Sequence, residues 1–217
     1  MKYSKTKQEI FWETDFGNKY VKRNIKSDRI FTIGKELINN KVLINEVLEL
    51  GANIGLNLDA IKRVYPDVKT YGVEINKLAF NIGKKKHKYY NKPILSFNSK
   101  KKYDLVCSVG VLIHQNPNHL NAFYNKLYSL SKKYIYLCEY FNPTPVMVKY
   151  RNNDDKLFKR DFAKELWIKF PKLKLIDCGF HWKEDPRLKN NCDNTNWFLF
   201  QKFKIWITSN NLKLLFS

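Results

Sequence analysis

The stretch "VLELGANIGLNL", residues 47–58, decides how the rest of the chain is read. It is an apolar run that breaks into a turn holding Gly51 and Gly55, then resumes with helical spacing. Such a strand, glycine turn and helix form the opening half of a strand-helix-strand crossover.

Outward from this turn the same alternation repeats. "EVLEL" (46–50), "TYGVEI" (70–75), "PILSF" (93–97), "DLVCSVG" (104–110), "YIYLCEY" (134–140), "LKLIDCGF" (173–180) and "WFLFQKF" (197–203) are short, rich in β-branched and aromatic residues, and bounded by polar or turn residues. Between most of these candidate strands lie amphipathic segments: "IGLNLDAIKRVYP", "NKLAFNIGKKKHKYY", "NPNHLNAFYNKLYSLSKK" and "RDFAKELWIKFP". In the third, Leu120, Phe123, Leu127 and Leu130 recur at three and four, marking one buried helical face. The pattern predicts a doubly wound, Rossmann-like α/β fold with a seven-stranded, mostly parallel sheet, helices on both faces and an antiparallel last strand. Residues 1–45 read as an N-terminal helical cap, 46–203 as the core and 204–217 as a lysine-rich C-terminal extension, all within one domain.

In a doubly wound sheet, ligands sit beyond the carboxyl ends of the strands, where the strand order reverses. Gly51 and Gly55 let the backbone bend there and approach a bound molecule. A dinucleotide site would show G-x-G-x-x-G. Here the run is Glu49-Leu50-Gly51-Ala52-Asn53-Ile54-Gly55. A carboxylate two residues before the first glycine repels a pyrophosphate but pairs with an amino group. Glu74 ends the next strand, close to the roughly 20-residue interval at which an acid meets ribose hydroxyls. Together they describe a nucleoside bearing an amino acid.

"ELGANIG", followed by "YGVEI" and "YDLVCSVGVLIH", resembles the class I S-adenosylmethionine-dependent methyltransferases. The resemblance implies that Glu49, Gly51, Ala52, Asn53 and Gly55 line the methionine end of S-adenosylmethionine, and that Glu74, with Ile75 after it, holds the ribose. It implies that Ser96 and Phe97 flank the adenine, and that Gly110, Val111 and the residues to His114 form a floor near the reacting methyl. A narrower similarity covers nearly the whole chain. "FWETDFGNKYVKRN", "GVLIHQNP", "CEYFNPTPVMVKYR", "LFKRDFAKEL" and "DCGFHWKED" are similar to the pseudaminic acid biosynthesis-associated methylases, bacterial enzymes linked to nonulosonic-acid glycan pathways. That family's "YRGH" reads "YRNN" at 150–153.

The implied chemistry aligns an acceptor with an already activated methyl and excludes water. If the acceptor is a sugar hydroxyl, a base helps remove its proton. His114, flanked by apolar residues at the end of the fourth strand, is the first candidate, against a purely structural histidine. Glu139 follows the fifth strand and either binds the acceptor, serves as a second base or bonds nearby backbone amides. Tyr140, Tyr150, Arg151, Lys159 and Arg160 fall in or before the acceptor-side stretch, where arginine suits a carboxylate or phosphate. A solvated charge run, or an internal pair with Asp154, Asp155 or Asp161, is the alternative for the charged ones. At the N-terminus, Tyr20 and Arg23 close over the cofactor, with Arg23 reaching its carboxylate, or Tyr20 packs with Phe11, Trp12 and Phe16.

Composition bounds the alternatives. The formal charge of +20 raises an RNA or DNA partner. Lysine far outnumbers arginine, however, and the lysines are scattered rather than concentrated. "FNPTP" (141–145) only loosely matches the N-P-P-Y motif of amino-methylating enzymes. A small anionic acceptor, sugar or nucleotide sugar, is therefore expected before nucleic acid, with a non-catalytic cofactor-binding domain as a third reading. Cys107, Cys138, Cys178 and Cys192 are too far apart for a zinc site, so no metal is expected. The first residues lack a signal-peptide h-region and no apolar run spans a membrane, which predicts a cytoplasmic protein of undetermined oligomeric state.

Overall fold

The computed structural model describes residues 3–25, 32–188 and 193–203. The expected extension at 204–217 and Cys192 lie outside the described residues. Three helices, α1 (Lys7–Glu13), α2 (Asp15–Asn24) and α3 (Ile33–Asn39), precede β1 (Glu46–Leu50). There follow α4 (Leu56–Val64), β2 (Lys69–Glu74), α5 (Lys77–Gly83), β3 (Lys88–Asn91), β4 (Tyr103–Val109), α6 (Leu120–Leu130) and β5 (Ser131–Glu139). The chain continues through β6 (Val146–Tyr150), β7 (Asn153–Lys159), α7 (Phe162–Lys169), β8 (Leu173–His181) and β9 (Thr195–Lys202).

The seven-stranded sheet has the order β3-β2-β1-β4-β5-β9-β8. β1 pairs in parallel with both β2 and β4, so the strand order reverses on either side of it. β9 runs antiparallel between β5 and β8. The expected sheet is therefore present, with its antiparallel last strand inserted rather than at the edge. Alternation along β1 sorts its side chains. Leu48 and Leu50 join Phe123, Leu127 and Leu166 from α6 and α7 in one core. Val47 joins Leu37, Leu58 and Ile61 from α3 and α4 on the opposite face.

Two expectations need correction. "PILSF" (93–97) is a turn, and the third strand is the preceding "KYYN". Pro93 brings no N–H to a ladder, its carbonyl takes the Phe97 amide at 3.1 Å, and Phe97 turns into the core. The helix expected across "NKLAFNIGKKKHKYY" stops at Gly83, and Tyr89 beyond it belongs to β3, its ring packed against two glycines. A Cβ on Gly72 or Gly83 would stand 2.7 or 2.4 Å from its ring.

The acceptor-side stretch forms a separate two-stranded β6–β7 sheet. Its two-residue turn, Arg151–Asn152, has φ values of +47° and +64°, the left-handed pair that matches hairpin twist. The hairpin packs over the end of β4, its Tyr150 ring lying against Trp12, Phe16 and His114. Truncating the fully buried Phe123 to Ala should cost about 3–5 kcal/mol by urea unfolding. Met147→Ala, on the exposed hairpin, should stay within about 0.5 kcal/mol.

Candidate active site

A cavity of about 450 Å³ opens where β1 and β4 part, at their carboxyl ends. Among its walls are Glu49, Gly51, Ala52 and Asn53 from the first turn, Glu74 and Ile75 from the end of β2, and Gly110, Val111 and His114 from the turn after β4. Tyr20, Tyr140, Tyr150 and Arg151 reach it from the surrounding elements. Sequence reasoning placed all of these in the site, from widely separated parts of the chain.

The glycine turn is built for closeness. Gly51 has φ +78°, and a Cβ there would lie 2.6 Å from a Val111 methyl, so only glycine lets the β1 and β4 turns meet. Gly110, at φ +64°, has nothing within 4 Å of a would-be Cβ and opens onto free space. Gly55 serves differently. It starts α4 and makes room for His87 and Tyr89, away from the cavity wall.

Glu49 is buried, one oxygen accepting from Asn57 Nδ2 at 2.6 Å while the other has no partner. Burial pushes its carboxyl up to about 8; the Asn57 hydrogen bond opposes this and the charge of Glu74 adds to it. Glu74 is also buried and raised, against amide bonds from Asn76 at 2.7 Å and Asn53 at 2.8 Å. Gln8 Oε1, Trp12 Nε1 and Asn53 Oδ1 are likewise buried without partners. Of the six buried side-chain polar atoms without a partner among the described residues, these three and Glu49 Oε2 belong to residues lining this one cavity, while His87 Nε2 and Tyr103 Oη lie away from it. Orphans of this kind cost about 1–3 kcal/mol each and mark a place that expects polar company.

His114 is almost fully buried between Trp12 and Tyr150, with ring centroids at 4.6 and 5.0 Å. Its Nδ1 lies 2.6 Å from the Lys156 carbonyl, which only accepts, so Nδ1 carries the proton and Nε2 keeps a lone pair. Burial pushes this imidazole down to about 4, keeping it neutral.

Other expected site residues stand elsewhere. Glu139 lies outside the cavity wall and takes the backbone-amide alternative: it accepts from Ser108 Oγ at 3.0 Å, Val111 and Leu112 N–H at 3.1 Å, and Ile113 N–H at 3.4 Å. Its carboxyl is raised to about 7 by burial, those bonds pulling the other way. Ser96 donates to the Pro93 carbonyl and Phe97 is core, so Pro93 and Ile94 supply the wall near Glu74 instead. Arg23 lies over the Phe16 and Tyr20 rings, at 5.9 and 5.6 Å, rather than on the wall. Lys159 sits over the Tyr140 ring, and Arg160 pairs with Glu165 at 2.7 Å.

Sequence reasoning missed Asn76, Asn57 and a polar group formed by Thr32, Tyr136, Cys138, His181 and Thr195, all lining the cavity. Asn76 caps α5 through Ala79 N–H and donates to Trp12 O, Glu13 O and Asn18 Oδ1, tying α1 and α2 to β2. An asparagine directly before an amphipathic run was its available signal. Among the described residues no cluster of His, Cys, Asp or Glu is arranged to hold a metal ion, and no helix is long and apolar enough to cross a membrane.

No protein-family model matches the sequence, and no curated protein is significantly similar to it. The fold is nonetheless shared with solved structures. The 1,6-didemethyltoxoflavin-N1-methyltransferase of Burkholderia thailandensis, solved with S-adenosylhomocysteine, aligns with TM-score 0.68 at 14% identity over 94% of each chain. Magnesium protoporphyrin IX methyltransferase of Synechocystis, solved with S-adenosylmethionine, aligns with TM-score 0.65 at 12% identity, over 93% of this chain and 100% of that one. A plantazolicin methyltransferase solved with S-adenosylhomocysteine gives TM-score 0.60 at 14% identity, over 90% and 94%. The architecture is thus the Rossmann-like fold of S-adenosylmethionine-dependent methyltransferases.

His114 also links folding to pH. Its folded pKa lies below the free value of 6.5, so the unfolded chain binds the proton first as pH falls. Stability from this group is whole above pH 6.5 and is lost down to about 4, by roughly 3 kcal/mol. The difference between wild type and His114→Phe in unfolding free energy should shrink across that window and stay flat above it. Asn76→Ala should cost about 1–3 kcal/mol and speed amide exchange in residues 7–24 more than in the sheet.

Proposed function

We propose that the protein is an enzyme, an S-adenosylmethionine-dependent methyltransferase acting on a small-molecule acceptor. The observation that carries the reading is the set of four orphaned polar atoms around one cavity at the β1–β4 switch point. Their chemistry fits this cofactor. Glu49 Oε2 is a lone acceptor matched to an ammonium, and the Glu74 carboxylate keeps lone pairs for two ribose hydroxyls. Pro93 and Ile94 offer an apolar wall to the adenine, and the space over Gly110 admits the methionine chain. When bound, the cofactor supplies a sulfonium-activated methyl.

The chain's own residues then bind, orient and keep water out. Trp12, Tyr20, Tyr140 and Tyr150 form an aromatic rim, and His114 presents a neutral Nε2 lone pair that can receive a hydrogen bond from an acceptor hydroxyl. Arg151 stands at the same wall. Together with the resemblance of short motifs to the pseudaminic acid-associated methylases, it supports an anionic acceptor, a nonulosonic acid or its nucleotide-activated form. The toxoflavin, porphyrin and plantazolicin enzymes named above likewise methylate small molecules by their names, which supports the broader class. A nucleic-acid acceptor has only the net charge of +20 in its favour.

Calorimetry with S-adenosylhomocysteine tests the reading. Glu49, raised to about 8, is protonated in much of the free protein at pH 7 and must ionise to pair with the ligand's ammonium. Binding at that pH should release a proton, visible as a heat that varies with the buffer's ionisation enthalpy. Glu49→Gln should abolish the release and weaken binding by about 10-fold or more. No binding by folded wild-type protein refutes the cofactor assignment, and RNA retention that survives high salt would favour the nucleic-acid acceptor.

A further inference from the structure

The cavity holds a second histidine, and it is wired in the opposite sense to the first. His181, at the end of β8, places Nε2 2.5 Å from Glu36 Oε1 and 2.9 Å from Thr32 Oγ1. Glu36, on α3, is buried behind the wall, and its second oxygen receives the hydroxyl of Tyr136. A carboxylate only accepts, so Nε2 carries the imidazole proton and Nδ1 is left bare. On the Nδ1 side are Thr195 Oγ1 at 3.1 Å and Cys138 Sγ at 3.7 Å. Burial pushes the Cys138 thiol up to about 12, so it stays protonated and does not compete as a nucleophile. Asp193, Tyr136 and Thr195 complete this wall.

Register places the group relative to the cofactor end. Glu49 of β1 pairs with Cys107 of β4, and Cys107 with Tyr136 of β5, so these residues stand level on one face of the sheet. Two strand spacings put Tyr136 about 10 Å from Glu49. An ammonium held at Glu49 thus leaves room for one small acceptor before the His181 wall. His114, by contrast, has the Lys156 carbonyl rather than a carboxylate at its Nδ1 and is almost fully buried, which disfavours an imidazolium there.

Resting on the methyltransferase reading, we propose that His181, oriented by Glu36, takes the proton that the acceptor hydroxyl loses during methyl transfer. The acceptor oxygen forms the bond to the methyl carbon as the S–CH3 bond breaks, and the electron pair stays on sulfur to give the neutral thioether. The O–H proton moves to His181 Nδ1, and the resulting imidazolium is paired with Glu36 through Nε2–H. Thr195 vacates Nδ1 by turning its hydroxyl to the Asp193 carbonyl, 3.5 Å away. His114 orients the hydroxyl without keeping its proton.

Long-range proton–nitrogen NMR on full-length protein with nitrogen-15 labelled histidine, loaded with S-adenosylhomocysteine, reads both tautomers directly. The expected result is His181 protonated on Nε2 and His114 on Nδ1, with Glu36→Gln mixing the His181 tautomers and leaving His114 unchanged. A proton on His181 Nδ1, or indifference to Glu36→Gln, overturns the proposal. In parallel, labelled methyl transfer is measured with N-acetylneuraminic acid and with catechol as acceptors. With either acceptor that turns over, His181→Gln should lose about 100-fold in kcat while S-adenosylhomocysteine affinity stays within about threefold. Undiminished turnover in that variant overturns the proposal even if the tautomers are as expected. Loss of the methyltransferase reading itself is told apart by calorimetry, as no S-adenosylhomocysteine binding in wild type.

Discussion

The buried carboxylate of Glu139 is the constraint on which the site depends. Four donors converge on it, three of them consecutive amides of the turn after β4 and the fourth the hydroxyl of Ser108 within that strand. Those amides have no ladder to join, because β4 has already ended and the following 3-10 turn leaves its first N–H groups free. Without the carboxylate the turn would expose unpaired amides to a dry interior, at a cost in the range of kcal/mol each. With it, Val111 is held against Gly51, the space over Gly110 is kept open and His114 is delivered under the hairpin. A residue outside the cavity thus sets the shape of its floor.

The cavity itself is electrostatically tense. Glu49 and Glu74 are both buried, and each is pushed towards its neutral form by that burial. Glu74 is partly relieved by amides supplied by the same turn that the glycines make possible. Glu49 has only Asn57. The chain as a whole carries a large positive charge, yet among the described residues no lysine or arginine pairs with either carboxylate. A site that keeps acids buried and away from the abundant lysines is arranged for a cation from outside, which is the physical content of pairing an ammonium there.

How much of this was legible beforehand follows from the range of the interactions. β1, its glycine turn and α4 were readable because propensity, turn chemistry and burial agree within a dozen residues, and the bounds of β1 match the expectation at both ends. The third strand was misplaced because the cue was apolarity: "PILSF" is a half-buried turn that sends Phe97 into the core, while "KYYN" pairs with β2 despite its polar ends. The hairpin at 146–159 was hidden because Arg151 rarely takes a left-handed conformation, so only Asn152 hinted at the turn. Site residues next to a local signal, such as Glu49 and Glu74, could be named. Those assembled by sheet order could not. Glu36 and His181 are 145 residues apart and meet only because β9 threads between β5 and β8.

That threading explains why one cavity can carry two histidines with opposite tautomers. An imidazole is defined by what holds its other nitrogen. The hairpin offers His114 a carbonyl, a neutral partner that orients the ring and does nothing for a positive charge. The α3 helix offers His181 a carboxylate that is itself steadied by Tyr136. Both partners come from elements other than those that carry the histidines, one from the hairpin and one from α3. Replacing only those outer partners would redirect protons without touching the cofactor end. On the proposed methyltransferase reading, the Rossmann-like core therefore fixes where a methyl donor lies, while the cap and the hairpin determine what happens to the hydroxyl beside it.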